Sequence, residues 1–171
     1  MTGKVPSLLR GGRRRLNDEQ AFTLIELMVV VLIIGILIAL ALPAFLGARS
    51  RAQDAAAKAT LRTALTAGRV IYTSSSARDP NDRYADATIA ELTALESAVN
   101  WVDGVTPSST PTTVSKDTST GVLFLASYSR SGKCFFTRDD PPFDTRYGVV
   151  ASTSADCYAE NSGSVAWQST W

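Results

Sequence analysis

Between Glu26 and Arg49 the chain runs for 22 residues without a charge, LMVVVLIIGILIALALPAFLGA. No other feature constrains the fold as much. A helix needs roughly 20 apolar residues to cross the hydrocarbon core of a bilayer. A core helix of a soluble domain would show a polar face over that length, and this run has none. It is therefore read as a membrane-spanning helix. Residues 1–21 ahead of it are polar and basic: Lys4, Arg10, Arg13, Arg14 and Arg15 against Asp18 and Glu19 leave a charge of +3. The positive-inside tendency then holds the N-terminus in the cytoplasm and places everything after Arg49 on the outer side.

A secretory signal peptide, cleaved near Ala39–Ala41 or Ala48, is the simpler alternative. Its apolar segment would span roughly 7–15 residues, and this run is longer. A carboxylate, Glu26, also stands at the start of the run, where a plain signal peptide has no need of an acid. An acid costs about 2.5–3.5 kcal/mol at the centre of a bilayer and less at its boundary. Such a residue calls for a function and a partner.

The segment around that acid reads Gln20-Ala21-Phe22-Thr23-Leu24-Ile25-Glu26-Leu27-Met28-Val29-Val30. It resembles the class III signal sequence of type IV pilins and pseudopilins, with basic leader, small residue, FTLIE and uncharged helix in that order. The resemblance covers about 30 residues, from Ala21 to Ala52. It implies cleavage between Ala21 and Phe22 by a prepilin peptidase on the cytoplasmic side, and N-methylation of Phe22. Glu26 becomes the fifth residue of the processed chain. The family usually has Gly before the cut; Ala21 keeps the small size, and slower processing is expected. Gly35 and Pro43 extend the likeness. Pro43 removes a helical hydrogen bond and kinks the helix, and Gly35 lowers helix propensity by about 1 kcal/mol relative to Ala. In the resembling filaments the stretch between such a Gly and Pro becomes extended; the plain alternative is an ordinary membrane-helix Gly and Pro.

After Arg49 the helical pattern continues but turns amphipathic. Leu61, Leu65 and Tyr72 fall near one face, with Ala64, Gly68 and Ile71 beside them. Asp54 and Lys58 are spaced as an i,i+4 pair on the solvent side. One helix is expected from about Thr23 to about Thr73. A loop follows at TSSSARDPNDR, around Pro80. Thr88-Ile89-Ala90-Glu91 has the form of a capping box opening a short helix. From Thr106 to Thr120, ten of fifteen residues are Ser or Thr. This stretch is read as an exposed loop with a short strand near Thr112–Lys116, or as an O-glycosylated surface. Strands are expected at 122–129 and 133–138, joined by Arg130-Ser131-Gly132, and around Tyr147–Ala151. The fold class is α+β: the pilin fold, with a long N-terminal helix packed on a C-terminal antiparallel sheet. The expected organisation is a leader at 1–21, a transmembrane and polymerisation helix at 22–48, its amphipathic continuation at 49–73 and a globular head at 74–171.

Cys134 and Cys157 are the sole thiols, 23 positions apart. Both fall on the outer side, where pairing is the default, with free thiols as the alternative. Pilins often carry such a bridge near the C-terminus. Asp139, Asp140 and Asp144 lie between the cysteines, but their spacing matches no calcium loop, and no metal ligand is assigned. The chain has no His, which removes the commonest general base and zinc ligand. No phosphate loop or nucleophile–His–acid set occurs. Neither catalysis nor a cofactor is expected. A net charge of +1 gives no reason to expect a dedicated nucleic-acid partner.

Three functions fit these features. The first is a structural subunit of a type IV pilus, used in adhesion, motility or DNA uptake. The second is a pseudopilin of a type II secretion-like system. The third is a signal-anchored binding domain, against which Glu26 speaks. The Cys pair and the chain length favour the first. Its partners are then identical subunits, the prepilin peptidase, the pilus assembly machinery and, before assembly, the lipid bilayer. Such a protein sits in the inner membrane with its N-terminus in, and afterwards in a surface pilus.

Overall fold

The structure, a computed structural model, describes residues 22–74, 84–118, 121–140, 142 and 144–171. The basic leader with Ala21 and the loop around Pro80 lie outside the described residues. Helix α1 spans Leu24–Ser74 and α2 spans Ile89–Leu95. Five strands follow: β1 (Asn100–Asp103), β2 (Thr113–Asp117), β3 (Leu123–Ser129), β4 (Lys133–Asp140) and β5 (Asp144–Ala151). Two short 3₁₀ segments, Ser154–Asp156 and Ala159–Ser164, come last. The chain divides between Leu42 and Pro43 into two compact units.

The first unit contains the beginning of α1. Its large apolar side chains from Phe22 to Leu42 are all exposed. The second unit, Pro43–Trp171, has three layers. Helix α1 buries Ala57, Leu61, Ala64, Leu65, Ala67, Gly68 and Ile71 on one face. Opposite them stand Val114, Leu123, Leu125 and Phe135 on the sheet, together with Tyr84, Leu92 and Trp101. The small residues let the helix approach closely. At Gly68 an added Cβ would stand 2.5 Å from Leu123 Cδ2, so Gly68→Ala would force that leucine aside. The other sheet face carries Ala126, Cys134 and Phe136 against Cys157 and Val165.

The strands lie in chain order, and β2–β3–β4–β5 form an antiparallel meander. The expected all-antiparallel sheet needs one correction. Strand β1, absent from the sequence reading, pairs parallel to β2, with Trp101 beside Val114. A parallel neighbour usually needs a crossover of a dozen or more residues; here the connection is shorter and is pinned by Ser108. That buried hydroxyl donates to Thr113 O at 2.6 Å and accepts from Tyr128 N at 2.9 Å. The Ser/Thr-rich stretch is thus only partly exposed, for Ser108, Thr113 and Ser115 are all buried. Its hydroxyls stand in for backbone partners that a short irregular connection lacks.

Local signals explain the element ends. Thr88 caps α2 and accepts from Glu91 N at 3.3 Å. The reciprocal half of the box is changed: Glu91 accepts from the Thr88 hydroxyl, while Thr88 N–H donates to Asp86 O. Gly132, at φ 86°, closes the β3–β4 turn in the left-handed region that favours glycine.

Candidate functional site

At the start of α1 the residues of the FTLIE segment define the helix terminus. Thr23 is non-helical, and its carbonyl and hydroxyl both accept from Glu26 N, at 3.1 and 3.3 Å. The hydroxyl satisfies one of the donors that every helix start leaves free. Thr23 and Glu26 thus have the spacing of a capping box, a signal that the sequence reading used at Thr88 and missed here. A carboxylate three residues into a helix also complements the helix dipole. Among the described residues nothing donates a hydrogen bond to the Glu26 carboxylate.

From Phe22 to Leu46 the large apolar side chains are between 48% and 79% exposed. No direction around the helix is spared. This surface cannot rest in water, since each apolar side chain buried in lipid or protein contributes about 1.5–3 kcal/mol. By length and composition the helix can cross a membrane. Gly35 lies within this stretch with no heavy atom within 4 Å of where a Cβ would stand, so packing inside the chain does not require glycine there. Pro43 is inside α1, at the boundary between the two units.

The helix is joined to the sheet by polar contacts that sequence reasoning did not find. Asp54 does not pair with Lys58. It accepts from the Ser129 hydroxyl at 2.7 Å and from the Ser131 hydroxyl, and it forms an ion pair with Lys133 at 2.7 Å. Burial pushes this carboxyl up, but the hydrogen bonds from Lys133, Ser131 and Ser129 outweigh it and hold the group below its ordinary range. Lys58 instead lies over the rings of Phe135 and Trp171, at 5.2 and 5.3 Å from their centroids. The expected solvent side at these positions is where the β3–β4 hairpin and the C-terminal segment lie.

Further along, Asp139 is fully buried and collects three donors. Arg69 binds it in bidentate fashion, Nη2 to Oδ1 at 2.6 Å and Nε to Oδ2 at 3.1 Å. The Tyr84 hydroxyl donates to Oδ2 at 2.5 Å and the Thr145 hydroxyl to Oδ1 at 2.6 Å. Burial pushes the Asp139 carboxyl up, yet the bonds from Arg69, Thr145 and Tyr84 together hold it below the usual carboxylate range. Burial and then the Asp139 carboxylate push the Tyr84 phenol well up. Asp140 and Asp144 are bound by Arg138 and Arg146. Among the described residues no cluster of three metal-ligating side chains occurs.

Cys134 and Cys157 are bonded, with Cα atoms 5.4 Å apart. The bridge fastens β4 to the segment that covers the far face of the sheet. That segment is further held by Ser108 N donating to Cys157 O at 2.7 Å and Ala159 N donating to the Ser115 hydroxyl at 3.0 Å. The closed loop of about 24 residues is worth roughly 3 kcal/mol in the chain-entropy model. Cys157→Ser should lower the unfolding free energy by about 2–4 kcal/mol, read from urea midpoints. Two freely reacting thiols in the non-reduced, denatured wild type would sink this assignment.

The prokaryotic N-terminal methylation motif matches residues 16–42. Over 68 residues, 40% of this chain, the sequence is 42% identical to the type IV major pilin protein PilA of Myxococcus xanthus (strain DK1622). Over 104 residues, spanning 53% of this chain, it is 38% identical to a fimbrial protein of Moraxella nonliquefaciens. These stretches cover 28% and 63% of the two relatives, so the chain matches less than two thirds of either. No solved structure matches the chain. The architecture, a long apolar N-terminal helix followed by an α+β head with a disulfide, is pilin-like.

Proposed function

We propose that this chain is the structural subunit of a type IV pilus, held in the inner membrane before assembly. The observation that carries the proposal is the helix surface from Phe22 to Leu46, apolar and exposed all round within a segment matching the methylation motif. Such a surface is covered by lipid in one state and by identical helices in the other. Heterologous contacts between identical subunits do not close, and they extend into a helical filament. The partially matched pilin and fimbrial relatives support the same reading.

In this reading a prepilin peptidase cuts between Ala21 and Phe22 and methylates the amine of Phe22. The Glu26 carboxylate meets that amine on a neighbouring subunit within the apolar bundle. Gly35 and Pro43 mark the stretch that gives up its helical hydrogen bonds as the filament forms. Filaments sheared from cells and analysed by mass spectrometry test the proposal. Their main subunit should begin at Phe22 with a methylated amine. A terminus at Met1, or one downstream of Ala39, would refute the processing step, and absence of the chain from the filaments would refute the subunit role.

A further inference from the structure

Three contacts set β4 in register with α1: Asp54 with Lys133, Lys58 over Phe135, and Arg69 with Asp139. From Asp54 to Arg69 a helix rises about 22 Å. From Lys133 to Asp139 a strand advances about 20 Å. The two lengths match, so β4 runs alongside α1 in the same direction. The β3–β4 turn, Ser129 to Lys133, is therefore at the end of the head nearest Arg49. Arg130 stands in that turn between the two serines that hold Asp54. Arg49, Arg51 and Arg130 are exposed, and among the described residues none has an ion-pair partner.

We infer that this end of the head is a docking surface for the phosphate headgroups of anionic phospholipids in the outer leaflet, used while the chain is membrane-embedded. The inference rests on the membrane-embedded state proposed above. The apolar run ends at Ala48. Arg49 and Arg51 lie about 1.5 and 4.5 Å beyond it along the helix, and Asp54 about 9 Å. The headgroup layer is about 5–7 Å deep on each side. Both helix arginines then fall within it, and the hairpin tip clasped to Asp54 falls within about one Debye length of it.

The acids at this end do not cancel the charge. Asp54 is occupied by Lys133. Asp156 follows Ser152, whose N–H donates to Gly132 O at 3.1 Å, and it accepts from the Thr153 hydroxyl. Arg49, Arg51, Arg130 and Lys133 against Asp54 and Asp156 leave +2. Arginines on the translocated flank work against an N-in orientation, and a headgroup contact gives them a compensating use. Arginine's planar fork also suits bidentate binding to phosphate. Each arginine near an anionic surface should shift the balance between docked and free head by about fivefold.

The test uses the full chain in lipid nanodiscs and reads paramagnetic broadening of its amide signals. Acyl-chain-labelled lipid should broaden residues 27–46 whatever the lipid charge, which checks the membrane span by itself. Headgroup-labelled lipid should broaden Arg130–Lys133 when phosphatidylglycerol is present. That broadening should be lost in phosphatidylcholine alone and in an Arg49→Gln/Arg51→Gln/Arg130→Gln variant, since the three arginines together shift the docking equilibrium by about 100-fold. A broadened span with a hairpin tip indifferent to lipid charge overturns the headgroup contact and leaves the span standing. An unbroadened span overturns both. Tip broadening that follows the number of chains per disc, and not the lipid charge, assigns the arginines to a neighbouring copy and overturns the proposal.

Discussion

Cells carrying Glu26→Leu should insert the protein into the membrane normally and display no filaments. Leucine at position 26 removes the charge at the start of the apolar run, so insertion becomes easier. Assembly is another matter. In the proposed bundle the amine of Phe22 is buried among apolar helices, and Glu26 of a neighbour is the carboxylate that neutralises it. A surface ion pair contributes 0–1 kcal/mol, and losing one of those would be tolerated. Removing one partner of a buried pair strands the other charge, at about 3–5 kcal/mol. That amounts to about two to four orders of magnitude in each subunit contact. Immunoblots of membrane and sheared fractions separate the two outcomes. Filament yield equal to wild type would show that the carboxylate has no such partner.

Asp139→Asn should destabilise the head by about 2–3 kcal/mol. The carboxylate is fully buried and anchors Arg69 from α1, Tyr84 ahead of α2 and Thr145 of β5. Breaking a fully buried pair costs about 3–5 kcal/mol. The Arg69 side chain is 35% exposed, so water receives part of its freed charge and the cost falls to the lower end of that range or just below it. The pH dependence is distinctive. Because the folded carboxyl is held below its ordinary value, its contribution is fully present above the unfolded value of about 4. It is lost as pH falls from there through the folded value. The gap between wild type and Asp139→Asn in urea midpoints should therefore shrink below about pH 4. A gap that stays constant into that range would mean that Asp139 acts by shape and not by charge.

The parts legible in the sequence were those with local causes. An uncharged run of 22 residues and a 3.6-residue repeat through Leu61 and Leu65 mark one long helix. The Thr88–Glu91 spacing marks the start of α2, and Gly132 the hairpin. What was missed depends on contacts between distant residues. Strand β1 is four residues long and alternates too briefly to stand out, and no local signal announces a parallel partner. Asp54 and Lys58 have the spacing of a helix pair, and each instead found a stronger partner on the sheet. Arg69 and Asp139 are 70 positions apart, and nothing in either one's neighbourhood points to the other. At the helix start, the Thr23–Glu26 spacing is a local signal of the same kind as Thr88–Glu91.

The clasp at Asp54 also sets an order in time. Its partner Lys133 follows it by 79 positions. At about 5–20 residues per second, a ribosome needs about 4–16 s to bring the hairpin into being after the helix. For most of that interval Ala57, Leu61 and Leu65 lack Leu123, Leu125 and Phe135, the part of their core that β3 and β4 supply. The strands β3, β4 and β5, joined by short turns, are complete before β5 is far from the ribosome, and they can pair among themselves at once. The helix segment beyond Arg49 is thus the earliest part of the head to be made, and its core is completed only when β3 and β4 follow.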